Sequence, residues 1–431
     1  MKDFVLKGHI CYSKSKLDLS TQENAYIVCV NGKSKGVFSE LPQQYADLPL
    51  TDFGDQLIVP GMVDLHIHAP QYAFRGMCMD LELMEWLNRY TFPEESKYID
   101  LDYARKAYSI FVNALQAGAT TRAVIFATRH RPATELLMEL MEQSGLVSYV
   151  GKVNMDREAS EELEEDSAEM SAYTTFGWIN AVKEKFPNTK PILTPRFIPC
   201  CTDQLMEELR QIQMTYGIPV QSHLSESPGE IDFVRVLRPD NAFYGEAYNE
   251  YDLFGKNDDI HTDVKTVMAH CVWSTPEEVE LMRQNGVFVA HCPASNMNLS
   301  SGIAPIRKYL DLDMKVGLGS DVAGGHSDSI FRAMTDAIQV SKMYWRYVDS
   351  NAKAITFPEA FWLATKGGGE FFGKVGTFQS GYEFDAVVLD DSVLPHPQEL
   401  SIIERLERAV YLQLDMRWGV CGKYVGGEKL F

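Results

Sequence analysis

A chain of 431 residues exceeds one ordinary single-core domain, so one large barrel or two domains is expected. With 45% hydrophobic and 11% aromatic residues it carries material for a large core, which excludes a disordered chain. The formal charge of −20 argues against a nucleic-acid partner, because phosphate backbones are bound by clustered Lys and Arg.

The eight cysteines form no C-x-x-C pair, so neither a zinc ribbon nor a thioredoxin-like motif is present. Residues Met1 to Gly8 lack the apolar core of a secretory signal. No apolar run approaches the roughly 18 residues of a membrane-spanning helix. The expectation is a cytoplasmic protein with reduced thiols and no membrane partner.

In chain order, residues 1 to about 56 read as strands with a hairpin signal at Asn31-Gly32. From Leu57 onward, short apolar runs alternate with amphipathic stretches. The expected strands are Leu57–His68, Thr120–Thr128, Val147–Met155, Ile192–Phe197, Ile218–Glu226, Thr266–Cys271, Val287–Pro293 and Val316–Asp321. Helices are expected at Tyr103–Ala117, Ala133–Gln143, Thr202–Thr215 and Pro276–Gln284. Eight such repetitions are the pattern of an α/β fold closed into a (β/α)8 TIM barrel. No G-x-G-x-x-G follows the first strand, which argues against dinucleotide binding. The acidic segment Glu158–Glu169 reads as a solvated loop or helix face. Strand-like text returns in Phe384–Leu389 and Tyr424–Gly427. The expected organisation is a barrel of residues 61–370 and a small composite β-domain of residues 1–60 and 371–431.

The first barrel strand closes on Pro60-Gly61-Met62-Val63-Asp64-Leu65-His66-Ile67-His68. Residues i and i+2 of a strand share a face, so both imidazoles can meet one metal ion. Barrel active sites gather at the C-terminal ends of the strands. The fifth strand ends in His223 and Glu226, the sixth in His270, the seventh in His291 and the eighth in Asp321. Each residue alone has an ordinary structural reading, as a core histidine or a turn aspartate. Together they would require coincidences at several separate strands, and a metal site is the simpler account.

These strand ends, with Trp86-Leu87-Asn88-Arg89-Tyr90-Thr91-Phe92-Pro93, Thr194-Pro195-Arg196-Phe197 and Gly319–Gly325, resemble the amidohydrolase superfamily, and within it the members acting on guanine. The resemblance covers almost the whole barrel and continues into the terminal β-domain. It implies one Zn²⁺ per chain, with iron as the alternative, held by His66, His68, His223 and Asp321. It further implies that Glu226 and Asp321 serve as acid and base, with His270 beside them. A zinc-activated water would convert guanine to xanthine and ammonia in purine catabolism. Arg196 would bind the 6-oxo group, and Gln71, Phe197, Glu226 and His270 would complete the substrate contacts. A homodimer is implied as well.

Many relatives bridge two metals with a modified lysine at the fourth strand end, where this chain has Pro195-Arg196-Phe197. One metal is therefore expected, and Lys152 on the third strand keeps a second one open. His130 and His291 read as structural, and His326 is undecided. Two alternatives remain open. One is a related hydrolase of another aminated heterocycle, such as cytosine, an amino-triazine or a modified adenosine. The other is a non-catalytic scaffold on the same barrel.

Overall fold

The computed structural model describes residues 3–256, 264–416 and 418–431. Strands β1 (Phe4–Ser13), β2 (Leu19–Val30) and β3 (Lys33–Phe38) form an antiparallel meander. Asn31 and Gly32 join β2 to β3 with φ of +54° and +69°, and Val30 faces Lys33 across the turn. That two-residue turn matches the twist of its flanking strands, as the Asn-Gly signal indicated.

Strand β4 (Leu50–Pro60) pairs in parallel with β1 and leads directly into β5 (Met62–His68). The barrel continues through β6 (Thr120–Phe126), β7 (Val147–Gly151), β8 (Val153–Asn154), β9 (Thr189–Pro191) and β10 (Thr194–Pro195). It is completed by β11 (Val220–Leu224), β12 (Thr266–His270), β13 (Phe288–His291) and β14 (Lys315–Leu318). Two parallel four-stranded sheets result, β5-β6-β7-β9 and β11-β12-β13-β14. The amide of Gln221 donates to Leu193 O at 2.9 Å and joins them on one side. The amides of Asp321 and His68 donate to His66 O and Val322 O, at 2.8 and 3.1 Å, and close the ring on the other.

At the other end of the chain, β15 (Ala386–Leu389), β16 (Val420–Val425) and β17 (Glu428–Lys429) return to the N-terminal strands. Among the described residues they complete one mixed sheet in the order β17-β16-β15-β4-β1-β2-β3. Arg122 on β6 ties that sheet to the barrel, donating from Nε to Asp385 at 2.6 Å and from Nη2 to Glu383 at 2.6 Å. Among the described residues no helix is long and apolar enough to cross a membrane.

Three sequence expectations need correction. The apolar run Leu57–His68 is two strands, because Leu57–Pro60 pair with β15 in the terminal sheet. Gly61 makes the crossing where a Cβ would lie 2.1 Å from Thr121 Oγ1. The fourth barrel strand is not a continuous Ile192–Phe197 but the short pieces β9 and β10, since Pro191 and Pro195 have no amide to give the ladder. The acidic segment is not wholly solvated: Glu165 is buried and accepts from Lys152 Nζ at 2.6 Å.

Candidate active site

Strand β5 carries His66 and His68 to the mouth of the ring, β11 carries His223, and β12 carries His270. Asp64 stitches the first strand to the eighth beside them. Its carboxylate accepts from His66 N at 3.1 Å, Ser320 N at 3.0 Å and Ser320 Oγ at 2.5 Å. Ser225, His270, Cys271 and Asp321 turn the chain at the strand ends with left-handed backbones, φ +48°, +73°, +49° and +47°. Such conformations cost a non-glycine residue about 1–3 kcal/mol and persist where surrounding structure enforces them, typically at functional sites.

Four potential ligand atoms converge at this mouth. His68 Nε2 lies 3.1 Å from His66 Nε2 and 3.3 Å from His223 Nε2. Asp321 Oδ1 lies 3.1 Å from His66 Nε2 and 3.3 Å from His68 Nε2. His223 Nδ1 donates to the carbonyl of Arg196 at 2.7 Å, which leaves the lone pair on Nε2 facing the cluster. Burial lowers His66, pushes His68 down to about 4 and holds His223 well below the ordinary histidine range. Burial opposes the charge on Asp321, yet the facing His66 and His68 keep its carboxyl well below the usual carboxylate range. Neutral imidazoles and an ionised carboxylate with converging lone pairs are a metal-binding donor set.

Beside the cluster, His270 Nδ1 is bonded to Asn296 Oδ1 at 2.9 Å. Its Nε2 stands 3.3 Å from Glu226 Oε2 and 3.7 Å from Asp321 Oδ2. Glu226 accepts from Ser301 Oγ at 2.9 Å through Oε1, and its amide donates to Glu230 Oε2 at 2.9 Å. Burial, and after it the charge of Asp321, push the Glu226 carboxyl up to about 8, so it keeps its proton at neutral pH. A buried carboxylic acid beside a metal-type cluster is equipped to donate a proton.

The pocket over these groups is walled by Leu83, Trp86, Leu87, Phe197 and Leu299. Gln71 and Arg196 supply polar groups on its wall. Arg196 is no surface residue: it is 3% exposed and meets Glu95 through a fork, Nη1 to Oε2 at 2.6 Å and Nη2 to Oε1 at 3.2 Å. Gln71 Nε2 donates to Glu95 Oε1 at 2.9 Å, and Gln71 Oε1 accepts from Ala323 N at 3.1 Å. The Phe197 ring sits edge-on to His223, with centroids 6.3 Å apart.

Every residue singled out for the site from sequence thus meets at one mouth: His66, His68, Gln71, Arg196, Phe197, His223, Glu226, His270 and Asp321. Lys152 is committed elsewhere, in its buried pair with Glu165. His130 and His291 join none of the potential metal clusters among the described residues. His326 Nδ1 lies 3.1 Å from Asn298 Nδ2. Sequence reasoning missed Glu95, Asn296, Ser301 and the apolar wall from Leu83 to Leu87. One signal pointed to Glu95: an arginine at a strand end inside a pocket needs a carboxylate, and Glu95 stands two residues beyond the Trp86–Pro93 segment.

Comparison with known proteins places this geometry. Residues 57–414 match the Amidohydrolase family. The guanine deaminase of Dictyostelium discoideum is 36% identical over 387 residues, covering 88% of this chain and 83% of that protein. The guanine deaminase of Escherichia coli K12 is 33% identical over 392 residues, covering 88% and 84%. A crystal structure of guanine deaminase from C. acetobutylicum, with guanine bound in the active site, matches with a TM-score of 0.95 and 43% identity over 100% of both chains. The chain belongs to the amidohydrolase family, in its guanine deaminase group.

Proposed function

We propose that the protein hydrolyses guanine to xanthine and ammonia at this mouth, using one Zn²⁺ held by His66, His68, His223 and Asp321. The observation that carries the reading is the convergence of these four donors at the foot of an apolar pocket with an acid, Glu226, at its side. The spacings of His68 from His66, His223 and Asp321, and of His66 from Asp321, are 3.1 to 3.3 Å and suit donors that share one ion. A tetrahedral zinc with bonds of about 2.0–2.1 Å separates its ligands by about 3.3–3.4 Å. When bound, the metal supplies a Lewis acid that makes water a nucleophile near neutral pH. The guanine held in the active site of the C. acetobutylicum relative supports the choice of substrate.

The chain's own groups then divide the work. The ring lies in the apolar slot with its 6-oxo group towards Arg196 and carbon 2 towards the histidine cluster. As water adds to carbon 2, Glu226 gives its proton to ring nitrogen 3, and Asp321 Oδ2 takes a proton from the water. His270 Nε2 lies between these two carboxyl groups and holds the new oxygen by a hydrogen bond. At the tetrahedral carbon the amino group takes the proton from Asp321, the C–N bond breaks, and ammonia leaves. The hydroxyl proton passes to Glu226 and restores the acid. One water is consumed, and its two hydrogens end on ammonia and, by way of Glu226, on ring nitrogen 3.

The test is metal analysis of the purified protein with ammonia and xanthine measured after incubation with guanine. About one zinc per chain and equal yields of both products are expected. A zinc-loaded protein that leaves guanine intact while releasing ammonia from cytosine or an amino-triazine would replace this reading with that of a related hydrolase of another aminated heterocycle.

A further inference from the structure

We propose that Glu95 is a positioning residue that sets which purines the pocket accepts, by locking Arg196 and Gln71 into a wall of hydrogen-bond donors. The inference rests on the guanine reading above and deepens it. Glu95 is 1% exposed and does not line the pocket, so it acts only through its neighbours.

The lock follows from counting donors. A guanidinium has five N–H groups and no acceptor. Glu95 engages one on Nη1 and one on Nη2, which leaves the rest of the planar group to face other partners. The Gln71 amide is held at both ends, with its nitrogen on Glu95 Oε1 and its oxygen on the amide of Ala323. Reversing it would set an NH₂ against the Ala323 N–H and a carbonyl against the carboxylate. The orientation is therefore fixed, with one Gln71 N–H free of Glu95. The same segment also builds the roof: the Phe92 ring lies 5.1 Å from the Arg196 guanidinium carbon, and Glu95 ends the helix Phe92–Glu95 just beyond Leu83, Trp86 and Leu87.

A wall of donors suits an edge of acceptors. Guanine presents the 6-oxo oxygen and nitrogen 7 side by side as acceptors, whereas a 6-amino group presents a donor there. 2,6-Diaminopurine keeps the 2-amino group that is removed, and replaces the 6-oxo acceptor and N1–H donor of guanine by a 6-amino donor and an N1 acceptor. It separates recognition from chemistry.

The experiment measures kcat and KM for guanine and 2,6-diaminopurine in the parent, Glu95→Gln and Glu95→Leu, with metal content and circular dichroism. The parent is expected to prefer guanine by about 10³-fold or more, as a site built around one hydrogen-bonding group does. Glu95→Leu is expected to raise the guanine KM about tenfold, lower kcat less, and shrink the preference by about tenfold or more, with metal retained. Glu95→Gln, which keeps one acceptor oxygen, should fall between. In an Arg196→Gln background, Glu95→Gln should alter the preference by less than about threefold, because the guanidinium that meets position 6 is gone and only the Gln71 contact remains for Glu95 to hold.

A folded variant with KM and preference within about twofold of the parent overturns the proposal. So does an equal loss of kcat on both purines at unchanged preference, or a parent that takes both purines equally. If Glu95→Leu does not fold, Glu95→Gln and its combination with Arg196→Gln decide. A metal-loaded parent inactive on guanine overturns the guanine reading itself. A parent active on guanine whose variants keep its preference overturns the lock alone.

Discussion

The two sides of the barrel mouth handle buried charge in opposite ways. On the floor, His66, His68, His223 and Asp321 bring lone pairs together with no cationic side chain among them, a cluster that suits an external cation. On the wall, Arg196 and Glu95 neutralise each other within the chain, and Gln71 completes the set. The floor is a site whose integrity depends on what it binds. The wall is built before the substrate arrives. Chemistry that generates a nucleophile needs the first kind of site, and recognition of a neutral base is served by the second.

The largest losses are expected on the floor. His66→Ala or His223→Ala should lose the metal and lower turnover by about 10⁴-fold or more, since the water is then no longer activated. Metal analysis with an ammonia assay checks this, and retention of both would mean the cluster is structural. Next comes the acid. Glu226→Gln should keep metal and fold yet lose about 10²–10⁴ in kcat. The parent needs this carboxyl protonated, and burial pushes it up to about 8, so kcat/KM should decline as pH rises through that range. A pH profile on both proteins tests this, because the variant has no such group to ionise.

On the wall, Arg196→Ala should reduce kcat/KM for guanine by about 10²-fold, mainly through KM, while the metal stays bound. It should also destabilise the fold by about 3–5 kcal/mol, because the Glu95 charge is left buried and unpaired. The pair Lys152–Glu165 sharpens the contrast. It is equally buried, with an N–O distance of 2.6 Å, yet neither residue lines the pocket. Glu165→Ala should destabilise by a similar 3–5 kcal/mol but leave the guanine KM and the metal content unchanged. Denaturant titration and steady-state kinetics on the two variants distinguish a wall from a brace. The smallest effect belongs to the terminal sheet. Gly32→Ala at φ +69° should cost about 1–2 kcal/mol and leave activity untouched.

Much of the floor was legible because its chemistry is written at strand ends. A histidine pair two residues apart, a His three residues before a Glu, and an Asp closing the eighth run each fall where a parallel barrel gathers side chains. The wall was half legible. Arg196 and Gln71 stood close to strand ends, but Glu95 lies in a loop helix 101 residues away from Arg196 in sequence. No periodicity links such a pair. The run Leu57–His68 misled for a related reason: an apolar, β-branched stretch states that a strand is buried, not which sheet buries it.

The eightfold repetition, the Asn31-Gly32 hairpin and the donor types at each strand end are readable along the chain, because these depend on local spacing and on what each side chain can do. Only the packed fold shows that β4 stays in the terminal sheet and the chain enters the barrel at Gly61, that Glu165 is drawn inside by Lys152, and that Glu95 pins Arg196 and Gln71. Those outcomes turn on which distant group is near enough to satisfy a buried polar atom. Closure of the ring fixes that, and no single segment carries it.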